Sequence, residues 1–574
     1  METINERFSF KDFSGGMATN INSNITPASL MKLILNGDCD EEIGSFVSRL
    51  GSDIVGAQLV DNKSILGLHQ YVDHTTSANN KLFAAVNDSS NTNADIWDVT
   101  GAAIVGADDT ASLKARFLTF LGQTLRVNGT DVPRVYSGRA FVNTATFTGA
   151  TNDVITSAGH NLSDGDTIWV SNSGGALPAG LTASTTYFVR DRTTDTFKVS
   201  LSSGGGAVDI TDTGSGTHTW SFQGTLDRVN MPTGHKFAIE FLDRVYLAGN
   251  TSTPDRIVFS SLQGEIITGQ VSWTRGNGYL DIEPEDGGGA ITGYGKVPGY
   301  LLIFKERALK RWNFSSTFPE SLVTIGTPSQ ESVVMGGGLC AFFSNSNSDA
   351  RGFYITNGGR PVPISHDTTR PIKKWVDAIP TANDGNIAGW ATERGFAWSV
   401  GDVTLDGVAY TNVVLRYNKQ LDQWSVRTYP TEFKVFAPYV SGGVTSIVGG
   451  NDDGQVILID KAATYTDYPS TTEINFAVES QSMSFGTNRI KRVSDRLFVR
   501  GENLEGIRTA VIADREPGKW NAIKTLRSLL TMFNLGSTVE GTEIALRVEG
   551  RTLGERAYIR EIEAKSISVL DSYE

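Results

Sequence analysis

From Ile65 to Leu458 the chain keeps returning to one theme: an apolar run, a Gly or Asn turn, and a second run in which apolar and polar residues alternate. Alternation at period two puts every second side chain on one face of an extended strand. Two such runs across a short turn read as a hairpin. The theme recurs about seven times: SILGLHQYV with KLFAAVN and ADIWDV; RFLTFLGQTLRVNG with PRVYSG; KFAIEFLDRVYLAGN with DRIVFSSL; ITGYGKVPGYLLIFKERALKRWN; LCAFFSNSNSDARGFYITNGGRPVPI; NIAGWATERGFAWSVGD with NVVLRYNKQLDQWSV; and FKVFAPYVSGGVTSIVGG with GQVILID. With 139–222 set aside, the stretch 64–466 leaves roughly 46 residues per copy, within the ~40 to 50 of a propeller blade, and six or eight blades would also be tolerable. A four-stranded blade buries one face against each neighbour, so closing the blades into a ring removes the two terminal faces. The expected fold is therefore all-β, a β-propeller of about seven blades.

Three segments have a different texture. Residues 1–63 read as an extended N-terminal arm: Phe8, Phe10 and Phe13 precede a turn at Gly15-Gly16, a short helix is expected after Pro27, and an acidic turn from Asp38 to Glu42 leads past Gly44 into a strand carrying Phe46, Val47 and Leu50. This arm has no core of its own and is expected to find one on a neighbouring copy. Residues 139–222, rich in Thr, Ser, Gly and Asp with sparse aromatics at Trp169, Tyr187, Phe188, Phe197 and Trp220, read as an inserted small β domain that splits the propeller into 64–138 and 223–466. After Tyr465, INFAVESQSMSF, RVSDRLFVRG, IRTAVIAD, EIALRVEG and AYIREIEAKSI are five alternating strands that make 467–574 a C-terminal β-sandwich-like domain, with only SLLTMF hinting at helix.

Composition narrows the function. The 61 glycines among 574 residues exceed the ~7% average and fit a chain full of tight turns. The only two cysteines, Cys39 and Cys340, lie far apart, which argues against a disulfide framework or a cysteine zinc site. No apolar run reaches the ~18 to 20 residues of a spanning helix, and METINERFSFKDF lacks the apolar core of a secretory signal, so synthesis in a cytoplasm is expected. A net charge of −13 and a pI near 5.1 argue against a surface built to hold phosphates, although an acidic wall would let a polyanion slide past without adhering.

Motifs for chemistry are missing where spacing would reveal them. The chain has no G-x-x-x-x-G-K-[ST] loop, no G-x-S-x-G elbow and no H-E-x-x-H helix. Histidines at 69, 74, 160, 218, 235 and 366 are too dispersed for a metal site. Asp38, Asp40 and Glu42 approach a calcium loop, but the turn glycine falls late at Gly44 and Arg49 stands where the bidentate Glu belongs, so a solvated acidic turn is the simpler reading. Gly287-Gly288-Gly289 follows Glu283, Glu285 and Asp286, whose charges would repel a phosphate; it reads as a flexible hairpin tip. The segment SDGDTIW at 163–169 lacks the spacing of a sialidase Asp-box. Arg256, Arg307, Arg351 and Arg416 read as surface or interface pairs. Trp273, Trp312, Trp375, Trp390, Trp398 and Trp424 read as core, and the basic run KERALKR at 305–311 as a blade-edge or subunit contact. No catalytic, cofactor-binding or metal residue is identified, no cofactor is expected, and the chain is not expected to be an enzyme.

Two stretches carry a resemblance. FSGGMATN with LILNGDCDEEIGSFVSRLGSDIV, and AITGYGKVPGYLLIFKERALKRWN, resemble the propeller-bearing tail nozzle and tail hub proteins of short-tailed bacteriophages (podoviruses). The family's "N-x-D…G-x-x-x-R-x-G" strand is matched by Asn36, Asp38, Gly44, Arg49 and Gly51. Its "I-T…G-Y-L-L-x-F-K" strand is matched by Ile291, Thr292, Gly299, Tyr300, Leu301, Leu302, Phe304 and Lys305. FGTNRIKRVSDRLFVRG and LRVEGRTLGERAY also look like the family, and the insert resembles a module that recurs in phage structural proteins. The resemblance implies a homo-oligomer, a hexameric ring in the virion tail, assembled in the host cytoplasm. In that ring, portal-side adaptor proteins lie above, tail fibres or spikes sit on the flank, and double-stranded DNA passes the lumen without tight binding, with contact to the host envelope at the far end. The competing expectation is a receptor-binding or glycan-degrading propeller tail protein, with acids and aromatics clustered at one propeller mouth. A third is a monomeric scaffolding propeller unrelated to phage.

Overall fold

The computed structural model describes residues 6–569 other than 20–26, 28, 40, 74–76, 78–79, 138–143, 161, 163, 184, 203, 223–224, 228–231, 261–277, 284–286, 315–317, 348, 367, 369, 470–472, 485–489, 494–495, 515–518, 521–523, 527–529, 535–538 and 553. Seven four-stranded units follow one another in order, each an antiparallel meander, with first strands Ile65–Tyr71, Arg116–Phe120, Phe237–Phe241, Ile291–Val297, Val334–Gly336, Ala388–Thr392 and Phe433–Ser441. Each first strand packs against that of the next unit, and Phe433–Ser441 packs back on Ile65–Tyr71. The ring is closed and is a seven-bladed propeller. Its hydrophobic cores lie between blades, as the inter-blade burial argument requires: Leu125 and Val127 of the second blade meet Val245 and Leu247 of the third, and Leu302 and Phe304 of the fourth meet Cys340 and Phe342 of the fifth.

The seventh blade takes its outermost strand from the other end of the chain. Gly51–Ile54 pairs antiparallel with Val456–Lys461, aligning Ile54 with Ile457 and Asp53 with Leu458. Pairing a strand from near residue 50 with one near residue 460 ties the first and last segments of the propeller into one sheet and covers the edge of Val456–Lys461. Residues 51–54, grouped with the arm on sequence grounds, are thus part of the propeller. The close approach is visible at Gly51, where a Cβ would lie 2.1 Å from the carbonyl oxygen of Thr466.

The rest of the arm is built into its own chain. Leu30–Leu35 lies parallel to the outer strand of the sixth blade, Gln423–Thr428, and antiparallel to Asn475–Ser480, so one sheet runs from the propeller into the C-terminal domain without a break. Glu6–Phe10 pairs with the final strand, Tyr558–Val569. The expected helix after Pro27 is therefore a strand. LMKLIL has apolar residues at helical spacing, but it is covered on both faces: Met31 and Ile34 enter the C-terminal core while Leu33 enters the core of the sixth blade. Two-sided burial erases the period-two signature. SLLTMF also yields to tertiary pairing, with Leu530–Asn534 a strand beside Arg496–Glu502.

The C-terminal domain is a sandwich of two sheets closing on Phe476, Val478, Leu497, Val499, Leu546 and Ile562, with Phe10, Phe13 and Phe46 of the arm in the same core. The need for a neighbour's core is met within the chain itself. The insert is a closed six-stranded barrel with its own core around Phe147, Ile168, Phe197 and Trp220. It leaves and re-enters the second blade between paired strands, Arg134–Ser137 and Thr225–Asp227, with Tyr136 opposite Thr225. Replacing 139–222 by a short Gly/Ser turn is therefore expected to leave the propeller folded, because the blade hydrogen bonds on either side remain and loop closure costs little. A fall of the main melting transition by more than about 5 °C would contradict this.

Candidate functional site

The residues most heavily tied together lie where arm, propeller and sandwich meet. Asn36 takes a left-handed conformation, φ 55°, that Asn tolerates. From there its side chain reaches both domains, with Nδ2 donating to Thr428 Oγ1 at 2.9 Å and to the Asn475 carbonyl at 2.8 Å. Arg49 is 1% exposed. It donates to both Asp467 oxygens at 2.9 and 2.5 Å, to Asn36 Oδ1 at 3.1 Å and to the Leu50 and Thr428 carbonyls, and its guanidinium lies 4.2 Å from the Tyr429 ring centre. Asp38 accepts from Arg416 at 2.8 Å, from Arg427 at 2.5 Å and from Ser425 at 2.6 Å. Buried ion pairs of this kind are poor sources of net stability but costly to break. Here they fix register among three chain segments far apart in sequence.

Burial alone would raise the Asp38 carboxyl, but the Arg416 and Arg427 guanidiniums and the Ser425 hydroxyl hold it well below the usual carboxylate range. A carboxylate depressed in the folded state contributes stability above its unfolded value of ~3.9 and loses it as pH falls through the folded value. The lock is therefore expected to be constant from about pH 8 to about pH 5 and to weaken only below about pH 4. Asp38→Asn should flatten that acid limb in urea titrations while lowering stability at pH 7. An unchanged acid limb would contradict the assignment. Beside the lock lies a polar cavity of about 170 Å³ whose lining balances Asp38, Glu41, Glu393 and Asp460 against Arg394, Arg416, Arg427 and Arg556.

The second feature is the propeller axis. A cavity of about 390 Å³ is lined by residues from all seven first strands, among them His69, Phe117, Ile239, Lys296, Met335, Gly389 and Phe436. Arg116 of the second blade reaches Glu331, just before the fifth, at 2.7 Å and stacks 4.7 Å from the Phe237 ring centre of the third. This ion pair spans the ring. A cavity of a few hundred Å³ is the size of a small-molecule pocket, so the propeller axis cannot admit a polymer such as duplex DNA. His69 Nε2 lies 2.7 Å from Thr119 Oγ1, and desolvation pushes the imidazole down to about 4. Because that lies below the unfolded ~6.5, its contribution is present above that pH and lost as pH falls from there towards the folded value. An NMR titration of the His69 ring should have its midpoint near 4; a midpoint near the unfolded value would contradict the enclosed placement.

The residues singled out in sequence disperse through the molecule. His160 and His218 lie in the barrel, His235 before the third blade, His366 against Tyr354, and His74 outside the described residues. Among the described residues no group of His, Cys, Asp and Glu could hold a metal ion. Asp38 is not part of a solvated turn, because the arm folds it against Arg416 and Arg427. Glu41 pairs with Arg556, and Glu42 lies 3.1 Å from Arg560. Asp40, Glu285, Asp286 and Trp273 lie outside the described residues.

Within the basic run 305–311, Lys305 and Lys310 are fully buried rather than at a blade edge, while Arg307 is exposed and Arg311 half-buried. Lys305 donates to the Ile282 and Glu283 carbonyls at 3.1 Å, and Lys310 donates to Ser321 and to Glu283. Alternation turned these two ammoniums inward, where carbonyls and acids satisfy them. Arg351 is likewise interior, bound to Asp384 and to the Val376 and Ile379 carbonyls. Arg256 pairs with Asp281 at 2.7 Å, and the backbone N–H of Arg307 donates to the Gly288 carbonyl in the link between the third and fourth blades rather than at a hairpin tip. Trp312, Trp375, Trp390, Trp398 and Trp424 are all core. Within SDGDTIW, Asp164 is exposed and Asp166 is buried at the barrel's join to the propeller, 4.0 Å from Arg134. Asp467, Tyr429 and the Arg116–Glu331 pair were not singled out in sequence. Only their placement in three dimensions gives them partners.

No protein-family model and no curated protein matches the chain. Among solved structures it is similar to the AfRom2 CNH domain (TM-score 0.36, 9% identity, covering 72% of this chain and 99% of that one). It is also similar to Saccharomyces cerevisiae Sqt1 (TM-score 0.32, 10% identity, 71% and 99%) and to the phage phi92 endosialidase (TM-score 0.26, 10% identity, 68% and 70%). The seven-bladed propeller is read from the strand pairing itself.

Proposed function

We propose that this chain is a structural protein of a short-tailed phage virion, the nozzle or hub of the tail, working as a closed ring of copies rather than as an enzyme. The observation that carries this reading is the buried lock. Four of the residues that carry the resemblance to tail nozzles lie in it: Asp38 ties the arm to the sixth blade, Asn36 and Arg49 bridge that blade to residues 467 and 475 of the C-terminal domain, and Gly51 packs against Thr466. A welded body suits a wall that must withstand the pressure of a passing genome. Since the propeller axis is too small for DNA, the conduit in this reading runs between copies, with sandwiches forming the collar and propellers bracing it. Portal-side adaptors and fibres or spikes would dock on that body, and the net charge of −13 keeps the lumen from gripping DNA. Negative-stain microscopy of the purified protein tests this. Rings with an open centre are expected. Monomers that release sugar from host-envelope polysaccharide would overturn it in favour of a glycan-degrading tail protein.

A further inference from the structure

Nothing in the packing of propeller and sandwich accounts for the outer face of the inserted barrel. Its strands alternate, with Phe147, Ile155, Val170 and Trp220 in the barrel core and the residues between them turned outward. On the outside, Ser171, Thr219 and Thr146 lie side by side across three strands. Ser173 stands opposite Thr217, and Thr148 opposite Thr156. All seven are exposed or half-buried, and among the described residues none of their hydroxyls bonds another group of the chain. Trp169, opposite Ser221, lies on the same face, its Nε1 donating to Thr186 Oγ1 at 3.0 Å. A groove of about 710 Å³ runs between Thr146, Thr148 and Thr156 and the loop 213–217, and no Asp, Glu, Lys or Arg lines it. Charge resumes on the next strand, where Asp195 and Lys198 stand either side of Thr196, the partner of Thr156. The loop wall is held in place by its own bonds. The Ser215 N–H donates to the Ala176 carbonyl at 2.8 Å, and Asn172 Nδ2 donates to the Ser215 carbonyl at 2.7 Å. Gly214, at φ 64°, comes so close that a Cβ would lie 2.6 Å from the Ala176 carbonyl oxygen.

We infer that this face binds an uncharged polysaccharide. A hydroxyl both donates and accepts, so an array of unspent hydroxyls matches a ligand that is itself a chain of hydroxyls. The indole beside it offers a flat apolar surface to the C–H face of a sugar ring. Threonine suits any exposed strand, but solubility is ordinarily served by Lys and Glu. Here 20% of the whole chain is charged and this face carries no charged residue. An acidic polymer, nucleic acid included, would find no cation in the groove. No carboxylate lines it either, so a glycan is held there without the acid pair that cleavage requires. A wall fixed in advance keeps the ordering cost of binding low.

An array of neutral polysaccharides (dextran, mannan, galactan) and acidic ones (polygalacturonate, polysialate), probed with the full chain, tests the inference. Binding to at least one neutral polymer and to no acidic one is expected, with no release of reducing sugar. Thr146→Glu/Thr148→Glu changes two exposed positions and leaves the barrel core intact. It should weaken that binding by about tenfold or more and keep the wild-type melting transition. Deleting 139–222 should abolish the binding. Binding that survives both changes would overturn this site, as would binding confined to the acidic polymers or to none. Release of reducing sugar by wild type would overturn a site that holds without cleaving. Rings seen by negative-stain microscopy should be the same for wild type and Thr146→Glu/Thr148→Glu, so loss of the glycan site and loss of the ring are read separately.

Discussion

Replacing Arg49 by Met is expected to cost about 3–5 kcal/mol of unfolding free energy, more than any exposed charge in the molecule. The Met side chain fills much of the space, but Asp467 keeps its charge in a buried site without the guanidinium that faced both of its oxygens. Asn36 loses a donor and Tyr429 loses its cation as well. Urea denaturation at pH 7 measures the loss. Arg49→Met/Asp467→Leu should recover much of it, because removing both charges removes the desolvation penalty. The exposed pair Lys461–Asp53, at 2.5 Å but with both side chains about 40% exposed, is the contrast: Lys461→Ala should cost less than about 1 kcal/mol. Equal losses at Arg49 and Lys461 would show that burial at the lock does not matter.

Removing residues 1–55 is expected to abolish the folded propeller rather than merely its assembly. The deletion strips the closing strand Gly51–Ile54 from the seventh blade and exposes the edge of Val456–Lys461. It also withdraws Leu33 from the core of the sixth blade and Phe10, Phe13, Met31, Ile34 and Phe46 from the sandwich. Burial of one large apolar side chain is worth roughly 1.5–3 kcal/mol, so the six together are worth about 9–18 kcal/mol, comparable to the ~5–15 kcal/mol net stability of a typical domain. Aggregation, or loss of the cooperative melting transition, is the expected result. Gly51→Val makes the same point with one residue, since its side chain would begin 2.1 Å from the Thr466 carbonyl oxygen. A soluble, cooperatively melting propeller from the truncation would contradict the closure.

The blades were legible in sequence because each blade strand meets a neighbouring blade on each face through short, regularly spaced runs, and turn residues mark their ends. The barrel was legible for a similar reason, as a composition change with its own aromatics. What escaped was everything that depends on distant partners. LMKLIL looks helical in isolation because two separate cores claim its two faces. Lys305 and Lys310 look like surface charge until their strands place Lys305 where the carbonyls of residues 282 and 283 accept from it and Lys310 beside the Glu283 carboxylate. Asp38 and Arg49 were visible as motif positions, but their partners at 416, 427 and 467 lie hundreds of residues away and no local pattern points to them.

Cryo-electron microscopy of a phage particle carrying this chain is the most direct test of the proposed tail role. The account predicts this chain as a ring beneath the portal, with sandwiches around a continuous axial lumen and each propeller rigidly attached outside it. Density that places the chain as an isolated spike away from the axis, or that threads the genome through a single propeller, would contradict it.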